Sequence, residues 1–199
     1  MSKYNVGILG GTFDPIHTAH LVIAEAAQVQ QSLDLVLFIP NGHPAHKDES
    51  DLTSADDRLE MVRIAIHDYS GFASSRIEID RDGPSYAIDT LRELVAKNPE
   101  AQFWFITGVD TIVEVPGWHE YPKLIKLCNF LVAERPGIES DRALESLPKE
   151  LRTITEVVDV EPMRISSTEI RSLVKSGGSL NGLVPPLVEK YIKENGLYL

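Results

Sequence analysis

The stretch "VGILGGTFDPIHTAHLVIAEAA", from Val6 to Ala27, places a short apolar run, two adjacent glycines and a helical pattern in direct succession. The apolar run has the length and continuous hydrophobicity of a strand that is covered on both faces. The helical pattern begins near Thr18, directly after the loop. A strand that leads through a glycine-containing loop into a helix predicts the start of a βαβ unit.

The same alternation of apolar runs and amphipathic stretches continues along the chain. Strands are predicted at Tyr4–Leu9, Leu35–Pro40, Arg76–Asp80, Gln102–Gly108, Asn129–Ala133 and Ile154–Val160. Helices are predicted at 18–31, from Ser54 through Ile66, and at 85–97, 111–115, 121–127, 141–149, 168–175 and 186–194. This order predicts an α/β fold: a Rossmann-like, doubly wound, mainly parallel sheet with helices on both faces.

Length and composition are those of an ordinary globular protein. The 199 residues suit one domain, 1–199, with a helical part over about 162–199 packed on the rest. No stretch approaches the roughly 18 apolar residues of a membrane span, and the first residues lack the apolar core of a signal peptide. We therefore expect a cytoplasmic protein without a membrane partner; whether it forms a homo-oligomer is open.

Charge and cysteine content narrow the classes of partner. Acidic residues number 30 against 19 basic ones, for a formal net charge of −11. Nucleic acid is therefore not expected as a partner, because binding to its backbone needs clustered Lys and Arg, whereas a small phosphorylated ligand needs only a few donors. Cys128 is the single cysteine, so no internal disulfide can form, and its apolar neighbours predict a buried, inert thiol rather than a reactive one.

Two histidines distinguish the first loop from an ordinary turn. Gly10 and Gly11 are expected to let the backbone turn sharply and let a phosphate approach its N–H groups; alternatively, they only connect a strand to a helix. His17 and His20 have i, i+3 spacing at the helix start, where both rings face the same side as the positive end of the helix dipole. This pattern favours an anion site over two surface histidines, or over one histidine that caps the helix and one that is exposed.

A second helix start carries similar donors. In "RISSTEIRSLVKSGG" Ser166 is the predicted N-cap, with Glu169 at the third helical position. Ser167, Thr168 and Arg171 add two hydroxyls and a guanidinium near this N-terminus, which suits a polyphosphate. The alternative is a well-capped short helix in which Arg171 forms only a surface salt bridge.

Together, "GGTFDPIHTAH" and "ISSTEIR" resemble the paired signature of the adenylyltransferase superfamily. The blocks "NGHPAHK", "SADDRLEMVRIAI", "GPSYAIDTL", "ITGVD", "PGWHEY", "AERPG" and "LVPPLVEKYIKENGLY" resemble, in order, the bacterial nicotinate-nucleotide adenylyltransferases over essentially the whole chain. The resemblance implies transfer of the AMP moiety of ATP to nicotinate mononucleotide, which yields nicotinate adenine dinucleotide and pyrophosphate in NAD biosynthesis. The alternatives are an enzyme that accepts nicotinamide mononucleotide, alone or as well, and a nucleotide-binding regulatory module without catalysis.

The resemblance also implies roles for individual residues. His17, His20 and Arg171 would be catalytic, donating to phosphate oxygens, and Mg²⁺ would enter with ATP without protein ligands. ATP contacts are implied for Gly10, Gly11, Thr12, Phe13, Gly108, Asp110, Ile165, Ser166, Ser167 and Thr168. Mononucleotide contacts are implied for Asn41, Lys47, Tyr86, Trp118 and Arg135. Asp110 has the alternative of an N-cap, whereas Trp104, inside a strand, is expected in the core, and His43 and His46 are interpreted as loop residues rather than metal ligands.

The chain departs from the family pattern at three positions. Ala19 stands where the motif usually has Gly, and Ala45 where a second Pro is common. Ala87 follows Tyr86 where many members have Thr near the nicotinate carboxylate, so backbone N–H groups would have to bind that carboxylate. We also expect the loop "NGHPAHKDESD" to become ordered when substrate binds.

Overall fold

A sheet of parallel strands forms the centre of the computed structural model, which describes residues 4–44, 52–134, 140–161 and 163–199. The strands in these ranges are β1 (Tyr4–Gly11), β2 (Leu35–Pro40), β3 (Phe72–Ser74), β4 (Ala101–Gly108), β5 (Asn129–Ala133) and β6 (Thr155–Val158). Their order across the sheet is β3-β2-β1-β4-β5-β6, and every neighbouring pair is parallel. Chain order therefore reverses direction at β1, which lies between β2 and β4.

Five of the predicted strands are confirmed to within two residues at either end, and one is wrong. The alternating stretch Arg76–Asp80 forms a turn, in which the Asp80 N–H donates to the Arg76 carbonyl at 2.9 Å. The Arg76 Nε also donates to the Asp80 carboxylate at 3.1 Å, and this i, i+4 pair suits a turn rather than an extended strand. The neighbouring strand is instead the short β3, which pairs with β2.

The helices cover both faces of the sheet. Those in the described ranges are α1 (Thr18–Gln30), α2 (Ala55–Ile66), α3 (Ala87–Lys97), α4 (Val109–Ile112), α5 (Tyr121–Leu124), α6 (Ser140–Glu145), α7 (Lys149–Arg152), α8 (Ser167–Lys175) and α9 (Pro186–Glu194). None of them is long and apolar enough to cross a membrane. The cap predicted for α2 is confirmed, because the Ser54 Oγ accepts a hydrogen bond from the Asp57 N–H at 3.1 Å.

Several helix boundaries differ from the prediction for local reasons. The region 141–149, predicted as a single helix, contains the end of α6 and the start of α7. The helix is interrupted before Pro148, which occupies the N-cap position of α7. The helix predicted at 111–115 begins earlier, as α4, and is followed by a 3₁₀ turn at Val115–Gly117 that contains Pro116. The predicted helix over 121–127 ends at Leu124.

Two buried apolar clusters lie on opposite faces of the sheet, which confirms the doubly wound fold. The first joins side chains of α1, α2, α8 and α9 to the sheet, among them Leu21, Met61, Ile170, Val188 and Ile192. The second joins side chains of α3, α4, α5 and α7, among them Leu91, Ile112, Leu124 and Leu151. As predicted, Trp104 is a core residue and Cys128 is buried, and this burial raises the pKa of the Cys128 thiol to about 12.

One side-chain amide contacts the backbone of the edge strand β6. The Gln30 Nε2 donates to the Val157 carbonyl at 2.8 Å, and the Gln30 Oε1 accepts from the Asp159 N–H at 2.9 Å. These two groups are the pair that a further parallel strand would bond opposite Val158. The neighbouring Gln31 side chain also donates to the Glu156 carboxylate, so the end of α1 is fixed to the sheet edge.

Candidate active site

The carboxyl end of β1 opens onto a cleft at the point where the strand order reverses, as expected for open α/β sheets. The structure corrects the role expected of the glycines, because β1 continues through Gly11 and both Gly10 and Gly11 lie within it. The left-handed conformation falls instead on Phe13, with φ of 50°. Both glycines line the cavity described below. Their missing side chains therefore leave open space at the cleft, and the turn does not depend on them.

His17 and His20 lie together at the start of α1. Their rings stack with centroids 3.6 Å apart and planes inclined by 18°, which confirms that they share one side of the helix. His17 is buried and occupies the N-cap position, and its N–H donates to the His20 Nδ1 at 3.2 Å. A neutral His20 ring that accepts at Nδ1 carries its proton on Nε2, which makes Nε2 a hydrogen-bond donor.

The Phe13 ring packs against the His20 ring. It is buried and meets the His20 ring edge-on, with centroids 5.0 Å apart and planes at 75°. The Phe13 ring thus packs against a histidine of the donor pair, and its predicted contact with ATP stays a prediction.

The start of α8 is tied to the same turn. The predicted cap is present, since the Ser166 Oγ accepts from the Glu169 N–H at 3.2 Å. The Arg171 guanidinium donates to the Asp14 carbonyl at 2.8 Å, and its other terminal nitrogen lies 3.5 Å from the Thr168 Oγ1. The two helix N-termini and the turn between Thr12 and His17 thus form one cluster of donors.

Ser167, whose contact with ATP stays a prediction, also makes a hydrogen bond to the turn. Its hydroxyl donates to the Pro15 carbonyl at 2.9 Å, across 152 residues of sequence. The Ser167 side chain therefore links α8 to the turn.

A cavity of about 570 Å³ opens beside Gly10–Thr12, and its lining does not include His17, His20 or Arg171. It is lined by the ends of β1, β2 and β4, by the start of α3 and by the segment 114–119. Its volume lies within the range of small-molecule sites. The residues predicted from sequence that the structure brings to this wall are Gly10, Gly11, Thr12, Asn41, Tyr86 and Trp118.

Aromatic side chains form one wall of the cavity. Trp118 is half-buried and packs edge-to-face against Phe105, with centroids 5.6 Å apart and planes at 75°. Tyr86 lies against His119 with centroids 4.5 Å apart. Trp118 therefore lines the cavity, and its predicted stacking on the mononucleotide stays a prediction. Trp104 packs in the core, as predicted.

A buried carboxylate in the same wall was not predicted. Glu78 is 5% exposed and accepts hydrogen bonds from the Asn41 Nδ2 at 2.9 Å and the Thr90 Oγ1 at 2.7 Å. The Arg81 NH1 donates to the Thr90 Oγ1 at 3.0 Å, which extends the network. Glu78 fixes the orientation of the Asn41 side-chain amide. The Asn41 Oδ1 is then the atom that can accept a hydrogen bond from a ligand.

The remaining residues predicted to contact ATP lie at the end of β4, at the start of α4 and just before α8. Gly108 is the N-cap of α4 and Asp110 lies in its first turn, so the alternative of Asp110 as the N-cap is wrong. Ile165 and Ala19 line a separate small hollow together with Met163. Neither Gly108 nor Asp110 lines the larger cavity.

Some predictions fall on residues outside those that the structure describes. These are Lys47, Arg135, Ala45 and His46, and most of the loop expected to become ordered. In the described part of that loop, His43 is exposed and its N–H donates to the Ser85 Oγ at 3.3 Å.

The cluster at the helix N-termini suits an anion rather than a cation. Its groups are imidazole and hydroxyl donors and the Arg171 guanidinium, all of which bind phosphate oxygens. Among the described residues, no three His, Cys, Asp or Glu side chains are arranged to hold a metal ion.

Comparison with known proteins assigns relatives to the chain. A family model described as cytidylyltransferase-like matches residues 8–173. A probable nicotinate-nucleotide adenylyltransferase of Synechococcus sp. (strain JA-3-3Ab) is 43% identical over 98% of this chain and 94% of the relative. One of Moorella thermoacetica is 44% identical over 97% and 91%, respectively. Plasmodium falciparum nicotinic acid mononucleotide adenylyltransferase complexed with NaAD superposes with a TM-score of 0.80 at 23% identity, covering 98% of this chain and 97% of that one.

Proposed function

We propose that this chain, which belongs to the nicotinate-nucleotide adenylyltransferases of the cytidylyltransferase-like family, transfers the AMP moiety of ATP to nicotinate mononucleotide. The observation that carries the proposal is the presence of two separate regions next to Gly10–Thr12. One is a cavity with an aromatic wall, which these residues line, and the other is the cluster of phosphate donors at the turn that follows them. A triphosphate and a mononucleotide placed in these two regions would bring their phosphates together at the end of β1.

The proposed reaction needs no protein nucleophile. A phosphate oxygen of the mononucleotide attacks the α-phosphorus of ATP, and the bond from that phosphorus to the oxygen of the β-phosphate breaks, releasing pyrophosphate. The protein's contribution is to align the two phosphates and to stabilise the charge that develops between them. All the residues assigned to this work would act as donors.

The donors divide the work between the two helices. His17 and His20 would donate to oxygens around the α-phosphorus, with the His20 Nε2 as its donor atom. Arg171 and Thr168 would hold the β- and γ-phosphates and the departing pyrophosphate. Because the cluster offers no ligands to a cation, Mg²⁺ would enter as part of the substrate, bound to ATP oxygens and water.

Recognition of the mononucleotide base would combine stacking with a helix N-terminus. Trp118 would stack on the pyridine ring, and the Asn41 carbonyl oxygen would accept from the mononucleotide. Ala87, the first residue of α3, lines the cavity, so the positive end of that helix faces the space where a nicotinate carboxylate would lie. This arrangement favours the acid over the amide without a side chain from residue 87. The whole chain would act as a single domain, because α8 supplies part of the ATP site.

Pyrophosphate release tests the proposal, measured with MgATP and either nicotinate mononucleotide or its amide, with the dinucleotide product identified by chromatography. We expect preference for the acid, loss of turnover in Arg171→Ala and normal turnover in Arg63→Ala, a matched control on the exposed face of α2. Equal rates with acid and amide would replace the proposed acceptor by a dual one. No pyrophosphate with either acceptor, together with measurable ATP binding, would contradict catalysis and leave a nucleotide-binding module.

A further inference from the structure

The segment that follows α9 returns to the turn that carries the phosphate donors. The Tyr198 hydroxyl donates to the Asp14 Oδ1 at 2.7 Å, across 184 residues of sequence, and lies 3.9 Å from the Met61 sulfur. Burial and the Asp14 carboxylate raise the pKa of the Tyr198 phenol well above its usual range, so the hydroxyl keeps its proton. Tyr198 therefore acts as a donor to Asp14.

Asp14 is a buried carboxylate that the proposed chemistry does not use. It is 1% exposed, and its second oxygen accepts from the Thr53 N–H at 3.4 Å. Arg58 is 2% exposed, and its positive charge balances that of the Asp14 carboxylate. The Arg58 guanidinium donates to the Thr12 and Thr53 carbonyls at 2.8 and 3.0 Å. Burial of the Asp14 and Arg58 charges costs free energy unless both groups are hydrogen-bonded. Each hydrogen bond of Asp14 and Arg58 therefore matters for the stability of the turn.

Asp14 and its two chain neighbours contact three residues of the phosphate site. The Asp14 carbonyl accepts from Arg171, the neighbouring Pro15 carbonyl accepts from Ser167, and the neighbouring Phe13 ring supports His20. A displacement of Asp14 would therefore move both helix N-termini relative to each other.

Backbone strain accompanies the contact on both sides. Phe13 has φ of 50° and Tyr198 has φ of 66°, in the left-handed region that bulky residues rarely occupy. Such conformations persist only where the surrounding contacts determine them, and they cluster where geometry serves function. Strained residues thus lie at both ends of the link between Tyr198 and the turn.

We propose that Tyr198 is a positioning residue for adenylyl transfer, which acts through the Asp14 carboxylate to hold Phe13, Pro15 and Arg171 in the arrangement that binds the triphosphate. The inference rests on the proposed function. It predicts that loss of one hydroxyl, at the Tyr198 ring, weakens transition-state binding while the mononucleotide cavity is unaffected.

The chain offers a matched control for this hydroxyl. Tyr191, on α9, also donates to a carboxylate, the Asp57 Oδ1, at 2.8 Å, but Asp57 lies at the start of α2 and contacts no part of the phosphate site in the hydrogen bonds described. Tyr191→Phe removes the same chemical group and a comparable bond. A purely structural role for both hydroxyls would leave the kinetics of both variants at the wild-type values, whatever the loss in stability.

The experiment compares Tyr198→Phe and Tyr191→Phe with the wild type in melting temperature, kcat, the KM for each substrate and the affinity for a non-hydrolysable ATP analogue. We expect both variants to lose a few degrees of melting temperature. In Tyr198→Phe we expect kcat to fall about tenfold and affinity for the analogue to fall severalfold, because a small displacement of positioned groups is costly. The KM for the mononucleotide should stay within twofold, and Tyr191→Phe should keep wild-type kinetics.

Equal kinetics in the two variants, or a Tyr198→Phe kcat within twofold of wild type, would overturn the inference. Failure of the proposed function is a separate result, because it appears as absent pyrophosphate release in the wild type. The affinity for the ATP analogue then decides the inference alone, with an unchanged value in Tyr198→Phe counting against it.

Discussion

The hydrogen bond between the His17 N–H and the His20 Nδ1 allows the two nitrogens of one ring to be tested separately. Nδ1 satisfies a backbone donor at the start of α1, and Nε2 is the atom proposed to donate to phosphate. An Asn side chain can place an oxygen near the Nδ1 position, whereas a Gln side chain can place an N–H near the Nε2 position. His20→Ala therefore removes both functions of the ring. His20→Asn removes only the Nε2 donor, and His20→Gln removes mainly the Nδ1 acceptor.

The expected magnitudes differ for the two functions. Losing a cap bond costs about 1 kcal/mol, or roughly 2–4 °C in melting temperature for a chain of this length. Losing a positioned donor to the reacting phosphate costs on the order of 10²–10³ in kcat. His20→Ala should show both losses. His20→Asn should recover stability but not turnover, and His20→Gln should turn over at least tenfold faster than His20→Ala while remaining less stable than wild type.

Pyrophosphate release at saturating substrates and thermal unfolding of the same preparations provide the two measurements. Full activity in His20→Asn would refute the reasoning, because that side chain lacks the donor. A His20→Gln variant as slow as His20→Ala would also refute it, since the donor would then not be the function of Nε2.

Three further outcomes are expected. Trp118→Ala should raise the KM for the mononucleotide about tenfold or more, because stacking on one base is worth about 1–3 kcal/mol, whereas Trp118→Phe should retain most of the affinity; an unchanged KM in the Ala variant would remove Trp118 from the site. Cys128, whose pKa is raised to about 12 by burial, should react with a thiol reagent only after unfolding, and rapid labelling of the native protein would contradict its burial. Burial and the hydrogen bond to Asp57 raise the pKa of Tyr191 to about 12, above the value of about 10 expected in the unfolded chain, so its stabilisation is complete below pH 10 and declines as pH rises towards 12; the melting temperature of Tyr191→Phe should therefore fall less steeply than that of the wild type between pH 9 and 11.5, and parallel curves would contradict the shift.

Local signals in the sequence predicted the parts of the fold that depend on neighbouring residues. The caps at Ser54 and Ser166 follow from a hydroxyl three residues before an acidic residue, and both bonds are present. The side shared by His17 and His20 follows from helical periodicity alone. Continuous apolar runs located the central strands, because such strands are buried on both faces.

Contacts between distant residues were beyond this kind of prediction. Nothing near Asp14 in sequence indicates that its partner is Tyr198, although an acidic residue between apolar neighbours was a signal of a buried carboxylate. Glu78 was obscured by the alternating pattern around it, which suggested a strand where the ion pair between Arg76 and Asp80 instead closes a turn. The extended conformation of Gly10 and Gly11 was missed because paired glycines usually indicate a turn, whereas here both lie at the end of β1 and line the cavity.

The contact of Gln30 with β6 bears on how the molecule behaves beside copies of itself. An edge strand with open backbone groups can recruit another chain and extend the sheet, which is a common route to aggregation. The Gln30 amide already occupies the Val157 carbonyl and the Asp159 N–H, so an approaching strand would have to displace it before pairing at Val158. One polar side chain at the end of a helix thus occupies, at the β6 edge, the backbone groups through which another chain would extend the sheet.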